Sequence, residues 1–450
     1  MEVSKTNNNY IFPDKNLYKL ILPLIVEQLL LVTVGLVDSI MVSSVGEAAV
    51  SAVSLVDSIN ILLINIFTAL ATGGAVVAGQ YIGQKKEDRA CKTADQLILF
   101  IIISSIAVMI ICYLSKYFIL NIVFGRLEPN VMSYSNTYLL IVFTSIPFIA
   151  VYNGGAALFR AMGNSKITMK ISIMMNLVNI VGNAILIYGF NMGVAGAAIP
   201  TVFSRVLAAL VIFYLIRNQD LKIHLSKKLH TKFDKKIIHK ILYIGVPNGL
   251  ENGMFQLGKI IVLNLIATFG TASIAANAVG NSVALFQIVP GMAISQATLA
   301  VTSQCIGSGD YDQTRYYTKK LSWISVKFIL LAVVVTLVAL PMILKVYNLS
   351  PETSIMTRNI ILYHGIVSVF IWTVSFVLPN TLRAANDVKF CMITAVLSMW
   401  IFRIGFSYIL GRYMGFGVFG VWIAMTIDWG VRAICFIVRY KNGRWKLHHI

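Results

Sequence analysis

The stretch PLIVEQLLLVTVGLVDSIMVSSVG, residues 23–46, is long and apolar enough to cross a bilayer as a helix, yet it carries two acids, Glu27 and Asp38. A spanning helix needs about 20 largely apolar residues. An ionised carboxylate near the bilayer centre costs at least ~2.5–3.5 kcal/mol. Asp38 therefore needs either partners or a job. The stretch also has an echo. In PNGLENGMFQLGKIIVLNLIATFG, residues 247–270, Pro247 answers Pro23, Glu251 answers Glu27 and Gly270 answers Gly46, each 224 residues on. A spanning helix that occurs twice sets the frame for the rest.

Working outward, apolar runs of spanning length recur at about 17–43, 51–79, 94–119, 135–159, 168–190 and 194–216. A second set follows at about 241–267, 275–305, 321–346, 359–380, 390–411 and 418–438. Of 450 residues 58% are hydrophobic and 12% charged, about half the charge of a soluble domain. The runs are too long and continuous for barrel strands, which alternate over ~10 residues. Gln80 and Gly83 recur as Gln304 and Gly307, FRAMGNSK (159–166) as LRAANDVK (382–389), and GVAG (193–196) as GVFG (417–420). Agreement in this order over both halves marks a duplication. Six spans per copy put both copies in the membrane the same way up. The expectation is an all-α polytopic membrane protein. Its twelve transmembrane helices form two six-helix bundles related by a pseudo-two-fold axis along the membrane normal, with a cleft between them. Residues 1–216 make the N-terminal lobe, 217–240 a basic cytoplasmic linker and 241–450 the C-terminal lobe.

The net charge of +19 first suggests nucleic acid, but its distribution does not. Lys85, Lys86, Arg89, Lys92, Arg160, Lys166, Lys170, the linker lysines, Arg383, Lys389 and the tail from Arg439 to Lys446 fall on one side of the twelve spans. The opposite side holds only Lys116, Arg126, Lys345, Arg358 and Arg412. This bias puts both termini in the cytoplasm, and the basic loops lack the interleaved aromatics that stack bases. The first span is longer than a signal-peptide core and no small-residue cleavage site follows it. Cys91, Cys112, Cys305, Cys391 and Cys435 show no metal-binding spacing, and free thiols are expected. No nucleophile elbow, zinc-protease motif or phosphate loop is present, so an enzyme is not expected.

PLIVEQLLLVTVGLVDSIMVSSVG, ATGGAVVAGQYIGQ, LFRAMGNSK and NIVGNAILIYGFNMGVAGAAIPTVFSR together resemble the multidrug and toxic compound extrusion (MATE) transporters, over about residues 17–440. The resemblance implies an antiporter of the cell membrane, driven by H⁺ or Na⁺ and using no cofactor. It would export amphipathic, cationic drugs or toxic metabolites by alternating access. The alternative within the superfamily is a flippase for lipid-linked saccharides, which would want a cavity rich in arginine. A monomer in contact with membrane lipids, without nucleic acid, is expected. By the same resemblance Asp38 matches the first-helix aspartate, Asn179 and Asn183 the fifth-helix pair, and Thr201 the sixth-helix threonine of a cation site. Asn183 stands where the archaeal and DinF-like branch of the family, whose cation site this resembles, commonly has an aspartate.

The residues carry their own reading beside this. Intramembrane acids are functional by default. Asp38 with neutral oxygens from Asn179, Asn183 and Thr201 suits an exchangeable proton or a monovalent ion such as Na⁺, whereas a divalent ion would want more charge. Glu27, eleven residues earlier, projects from the same helix face ~16 Å away along the axis, making a second station on a cation path. Glu251 is its copy in the second half, with Lys259 two turns on as its expected partner. Asp57, whose copy is Asn281, is a further cavity candidate. Arg403 is expected to pair with Asp428. Met174, Met175, Met292, Tyr152, Phe255, Phe286, Trp372 and Phe376 could form an adaptable wall for apolar cations.

Overall fold

The computed structural model describes residues 10–125, 127–227 and 232–447; Arg126 and residues 228–231 of the linker lie outside them. Among the described residues there is no strand. Twelve long helices follow one another: α1 (Asp14–Ser43), α2 (Glu47–Gly83), α3 (Glu87–Leu114), α4 (Pro129–Ala161), α5 (Ser165–Gly189), α6 (Gly193–Leu215), α7 (Lys235–Ala267), α8 (Thr271–Gly307), α9 (Tyr311–Tyr347), α10 (Pro351–Ala384), α11 (Val388–Tyr413) and α12 (Gly417–Lys441). Eleven are long and apolar enough to cross a membrane. The remaining one, α7, has the length, at 33 residues, but its lysines and Glu251 dilute its apolar character.

The helices depart from α geometry in several places, two of them beside a proline. A 3₁₀ turn at Phe143–Ser145 precedes Pro147 in α4, and α10 breaks at Val377 just ahead of Pro379. Proline supplies no N–H to the preceding turn and crowds its carbonyl. The end of α5 widens to a π-helix over Ala184–Gly189, and α11 does so over Met399–Gly405 and Ser407–Tyr413.

Two compact units make up the chain, Leu29–Gly249 on the one hand and Met1–Gln28 with Leu250–Ile450 on the other. The division falls inside α1 and inside α7. In the first unit, the start of α7 packs on α2 almost backbone to backbone. A Cβ on Gly73 would lie 2.4 Å from the Ile241 carbonyl oxygen, and one on Gly245 would lie 3.1 Å from Leu70 Cα. Small residues permit such an approach, which in lipid supplies packing attraction that apolar bulk alone cannot. The described part of the linker is tied to α3. The Ser226 N–H donates to Asp95 Oδ1 at 3.0 Å, Gln96 donates to the Lys232 carbonyl at 3.1 Å, and Lys92 bonds Asp234 at 2.7 Å. That bond holds the Asp234 carboxyl below its ordinary value.

In the second unit, Leu17, Leu20, Ile21 and Leu24 from the start of α1 are wholly buried in a core shared with α8, α9, α10 and α12. Tyr317 secures the entry to α1. Its hydroxyl donates to the Phe12 carbonyl at 2.7 Å and accepts from the Phe12 N–H at 3.0 Å.

Candidate functional site

Asp38, Asn179, Asn183 and Thr201 come together within the Leu29–Gly249 unit. Four residues apart, Asn179 and Asn183 lie on one face of α5, and both are buried. Asn183 is the last residue before the helix widens, a kind of irregularity frequent at functional sites. The neighbouring Gly182 lets α6 close in: a Cβ there would lie 2.6 Å from Pro200 Cβ. Thr201, next after Pro200, is thereby delivered to Asn179.

Asn183 Nδ2 donates to Asp38 Oδ1 at 2.8 Å. With its amide oriented to satisfy both neighbours, Asn179 donates to the same oxygen at 2.8 Å and lies 3.0 Å from Thr201 Oγ1. Asn183 Oδ1 is buried and has no hydrogen-bond partner. One carboxylate, two amide oxygens and a hydroxyl form a donor set that fits a monovalent cation. The orphaned Asn183 oxygen is the acceptor such an ion would use, and the resident hydrogen bonds would equally steady a carboxyl that takes up and releases a proton. Close by is a second polar group that the sequence reading had not assembled. Tyr138 donates to Asp57 Oδ1 at 3.2 Å, and Arg205 donates to Ser145 Oγ at 2.8 Å and to Asn60 Oδ1 at 3.3 Å. Asp57 repels and Arg205 attracts the Asp38 charge through space. Glu27 is buried in the other unit.

The unit holding Leu250–Ile450 contains a cavity of about 700 Å³. Phe255, Met292, Trp372 and Phe376 line it, with Trp422, Met425 and Trp429, whereas Met174, Met175, Tyr152 and Phe286 do not. Its charged lining is basic: Lys259, Arg383 and Arg403, with His364 and Asn281. Two expected pairings are corrected here. Glu251 does not bond Lys259; both its oxygens accept from Arg383 Nη2 at 2.8 Å. A planar guanidinium satisfies a carboxylate better than a flexible ammonium two turns away. Asp428 bonds Arg432, one turn on in α12, at 2.8 Å rather than Arg403, and Ser398 donates to the same oxygen at 2.6 Å. Lys259 and Arg403 instead face the Phe255 ring, at 5.0 and 5.1 Å from its centroid. His364 is buried, with Nδ1 2.6 Å from Gln287 Oε1.

Similarity to known proteins bears on this arrangement. The chain matches the family described as MatE twice, over residues 23–185 and 247–409, the second copy displaced by 224 residues from the first. It is 28% identical to the uncharacterized transporter YisQ of Bacillus subtilis (strain 168), covering 96% of this chain and 94% of that one. It is 23% identical to the probable multidrug resistance protein NorM of Thermotoga maritima, covering 96% and 93%. A crystal structure of MATE in complex with MaL6 superposes with a TM-score of 0.89 at 20% identity, covering 96% of this chain and 97% of that one. An outward-facing multidrug resistance MATE family transporter of the MOP superfamily gives 0.88 at 20%, covering 96% of each. Duplicated family match, all-helical fold and multi-pass character agree: the chain belongs to the MatE family of multidrug and toxic compound extrusion transporters.

Proposed function

We propose that this protein is an antiporter of the cell membrane, with both termini in the cytoplasm, in which Asp38 couples entry of H⁺ or Na⁺ to export of amphipathic compounds. The observation that carries the reading is the Asp38 carboxylate inside a spanning helix, bonded by Asn183 at 2.8 Å and adjoined by Asn179 and Thr201. When a cation is bound, it neutralises the one fixed charge of the cluster. The side chains then serve two occupancies. Empty, the amide N–H groups satisfy the carboxylate; loaded, the Asn183 and Thr201 oxygens and the Asp38 carboxylate share the cation. Exchange between these states gives the two facing conformations different affinities for the ion, which is what coupling requires.

A second reading, a flippase for lipid-linked saccharides, is favoured by one observation, the arginines and lysine lining the 700 Å³ cavity. The test of the first reading is dye efflux from a pump-deleted host and from vesicles with pH and sodium gradients imposed separately. The dyes include organic cations, as the family resemblance implies, and anions. Asp38→Asn at matched expression is expected to lower efflux at least about tenfold, the scale of a lost hydrogen-bonded charge. Undiminished efflux with unaltered ion dependence would overturn the assignment.

A further inference from the structure

The cavity in the Leu250–Ile450 unit has a charge opposite to what a site for organic cations needs. Its formal charges can be followed one by one. Arg383 is neutralised by Glu251, and Arg432, just behind the wall, by Asp428. Lys259 and Arg403 remain. Among the described residues neither has a carboxylate within ion-pair distance, and the two repel each other across the Phe255 ring that both face. Arg432 approaches the same ring from 5.7 Å. Asp428 attracts Arg403 through space but is bonded to Arg432, so the lining keeps an excess of positive charge beside one ring, which is costly in a low-dielectric setting.

Unpartnered donors accompany this charge, together with two unpartnered acceptors, Gln296 Oε1 in the lining and Asp428 Oδ2 behind it. Trp429 Nε1 is buried in the cavity wall without an acceptor, and Arg432 Nη2 is likewise unpartnered. Trp429 is 4% exposed and Arg432 3%, so bulk water does not serve them freely. The site thus offers positive charge from Lys259 and Arg403, surrounded by aromatic faces, and lacks an acid on its lining.

We infer that this cavity binds an amphipathic anion, its acidic group held by Lys259 and Arg403 and its apolar or aromatic body stacked against Phe255 and the tryptophans. The inference rests on the exporter reading for its biological sense and departs from the cationic cargo that the family resemblance implies. The shared chemistry is an anionic head on an apolar body, which either a free aromatic acid or a prenyl-linked pyrophosphate supplies.

Two dyes built on one xanthene ring system and opposite in charge make the test: carboxyfluorescein, an anion, and rhodamine 6G, a cation. Each is titrated by fluorescence polarisation against the full chain in nanodiscs of zwitterionic lipid, with empty nanodiscs subtracted. Carboxyfluorescein is expected to bind more tightly. Lys259→Gln and Arg403→Gln should each weaken it about tenfold, as losing a charge-assisted bond would, while rhodamine 6G binding stays or improves. Arg403→Lys should restore part of the anion affinity. Lys259 is exposed to the cavity, so its variant folds even where an Arg403 variant does not. Competition by farnesyl pyrophosphate assigns the head to a prenyl pyrophosphate, and its failure to compete assigns it to an aromatic acid. Equal or tighter binding of rhodamine 6G, or anion binding that both replacements leave intact, would overturn the site. No gradient is imposed, so this outcome is independent of Asp38: failed charge selectivity leaves the coupling reading standing, and Asp38-independent efflux leaves the anion site standing.

Discussion

Glu251 and Arg383 show how much one side chain can depend on another far along the chain. Both are largely buried, with side-chain exposures of 14% each, and Arg383 also donates to Asn380 Oδ1 at 3.0 Å. Removing one member of such a pair leaves a stranded charge and typically costs ~3–5 kcal/mol, whereas removing both is far milder. Glu251→Gln is therefore expected to lower the thermal unfolding midpoint in detergent well below that of the double variant Glu251→Gln, Arg383→Gln. Equal midpoints for the two would show the pair to be energetically idle. The partner of Glu251 stands 132 residues away, and nothing in local spacing announces it. Lys259, two turns off, is the neighbour that helical periodicity offers. Asn179 and Asn183 are singled out by the family resemblance, and their four-residue interval places them on one helix face. Asp428 and Arg432 are four residues apart as well, and that interval rather than the expected link to Arg403 is the one that pairs them. The group of Tyr138, Asp57, Arg205, Asn60 and Ser145 was out of reach, since its bonds join three helices, α2, α4 and α6.

At the level of elements, small residues decide which helices meet. Gly182 lies against Pro200, and that approach brings Thr201 beside Asn179. A valine at Gly182 would meet proline ring atoms and part α5 from α6. Gly182→Val should retain the fold yet lose ion-dependent efflux by about tenfold or more, because displacements of about 1 Å at a positioned group cost that much. Gly253→Ala is the control, with nothing within 4 Å of the added carbon, and should leave efflux within twofold, roughly the effect of a few tenths of a kcal/mol in helix propensity. If Gly182→Val transports normally, the helix approach does not set the site. Hydropathy made eleven of the spanning runs readable, whereas α7, diluted by its lysines and Glu251, follows from the 224-residue repeat of the first. The π-helical stretches of α5 and α11 left no such trace, since a widened turn uses the same apolar residues as an ordinary one.

On the scale of the whole chain, the repeat is visible in the sequence but the exchange of helix ends is not. Leu17 to Leu24 belong to the core of the unit built from Leu250–Ile450, and Ile241 and Gly245 pack within the unit built from Leu29–Gly249. Periodicity sees one uninterrupted apolar helix in each case, and only packing shows that its two ends serve different cores. It follows that residues 1–230 and 231–450, produced as separate chains, should each be degraded when made alone. Made in the same cell they should accumulate together and co-purify, as read by immunoblot. Stable accumulation of either fragment by itself would mean that the borrowed helix ends are dispensable.

The crossing of α1 between cores has a consequence for biosynthesis. Leu17, Leu20, Ile21 and Leu24 are translated well before α8, α9, α10 and α12, the helices that enclose them. Until α12 is made these side chains lack part of the core that buries them in the folded chain. That core therefore cannot close during synthesis of the first seven helices, and its earliest-made residues depend on its latest-made helices.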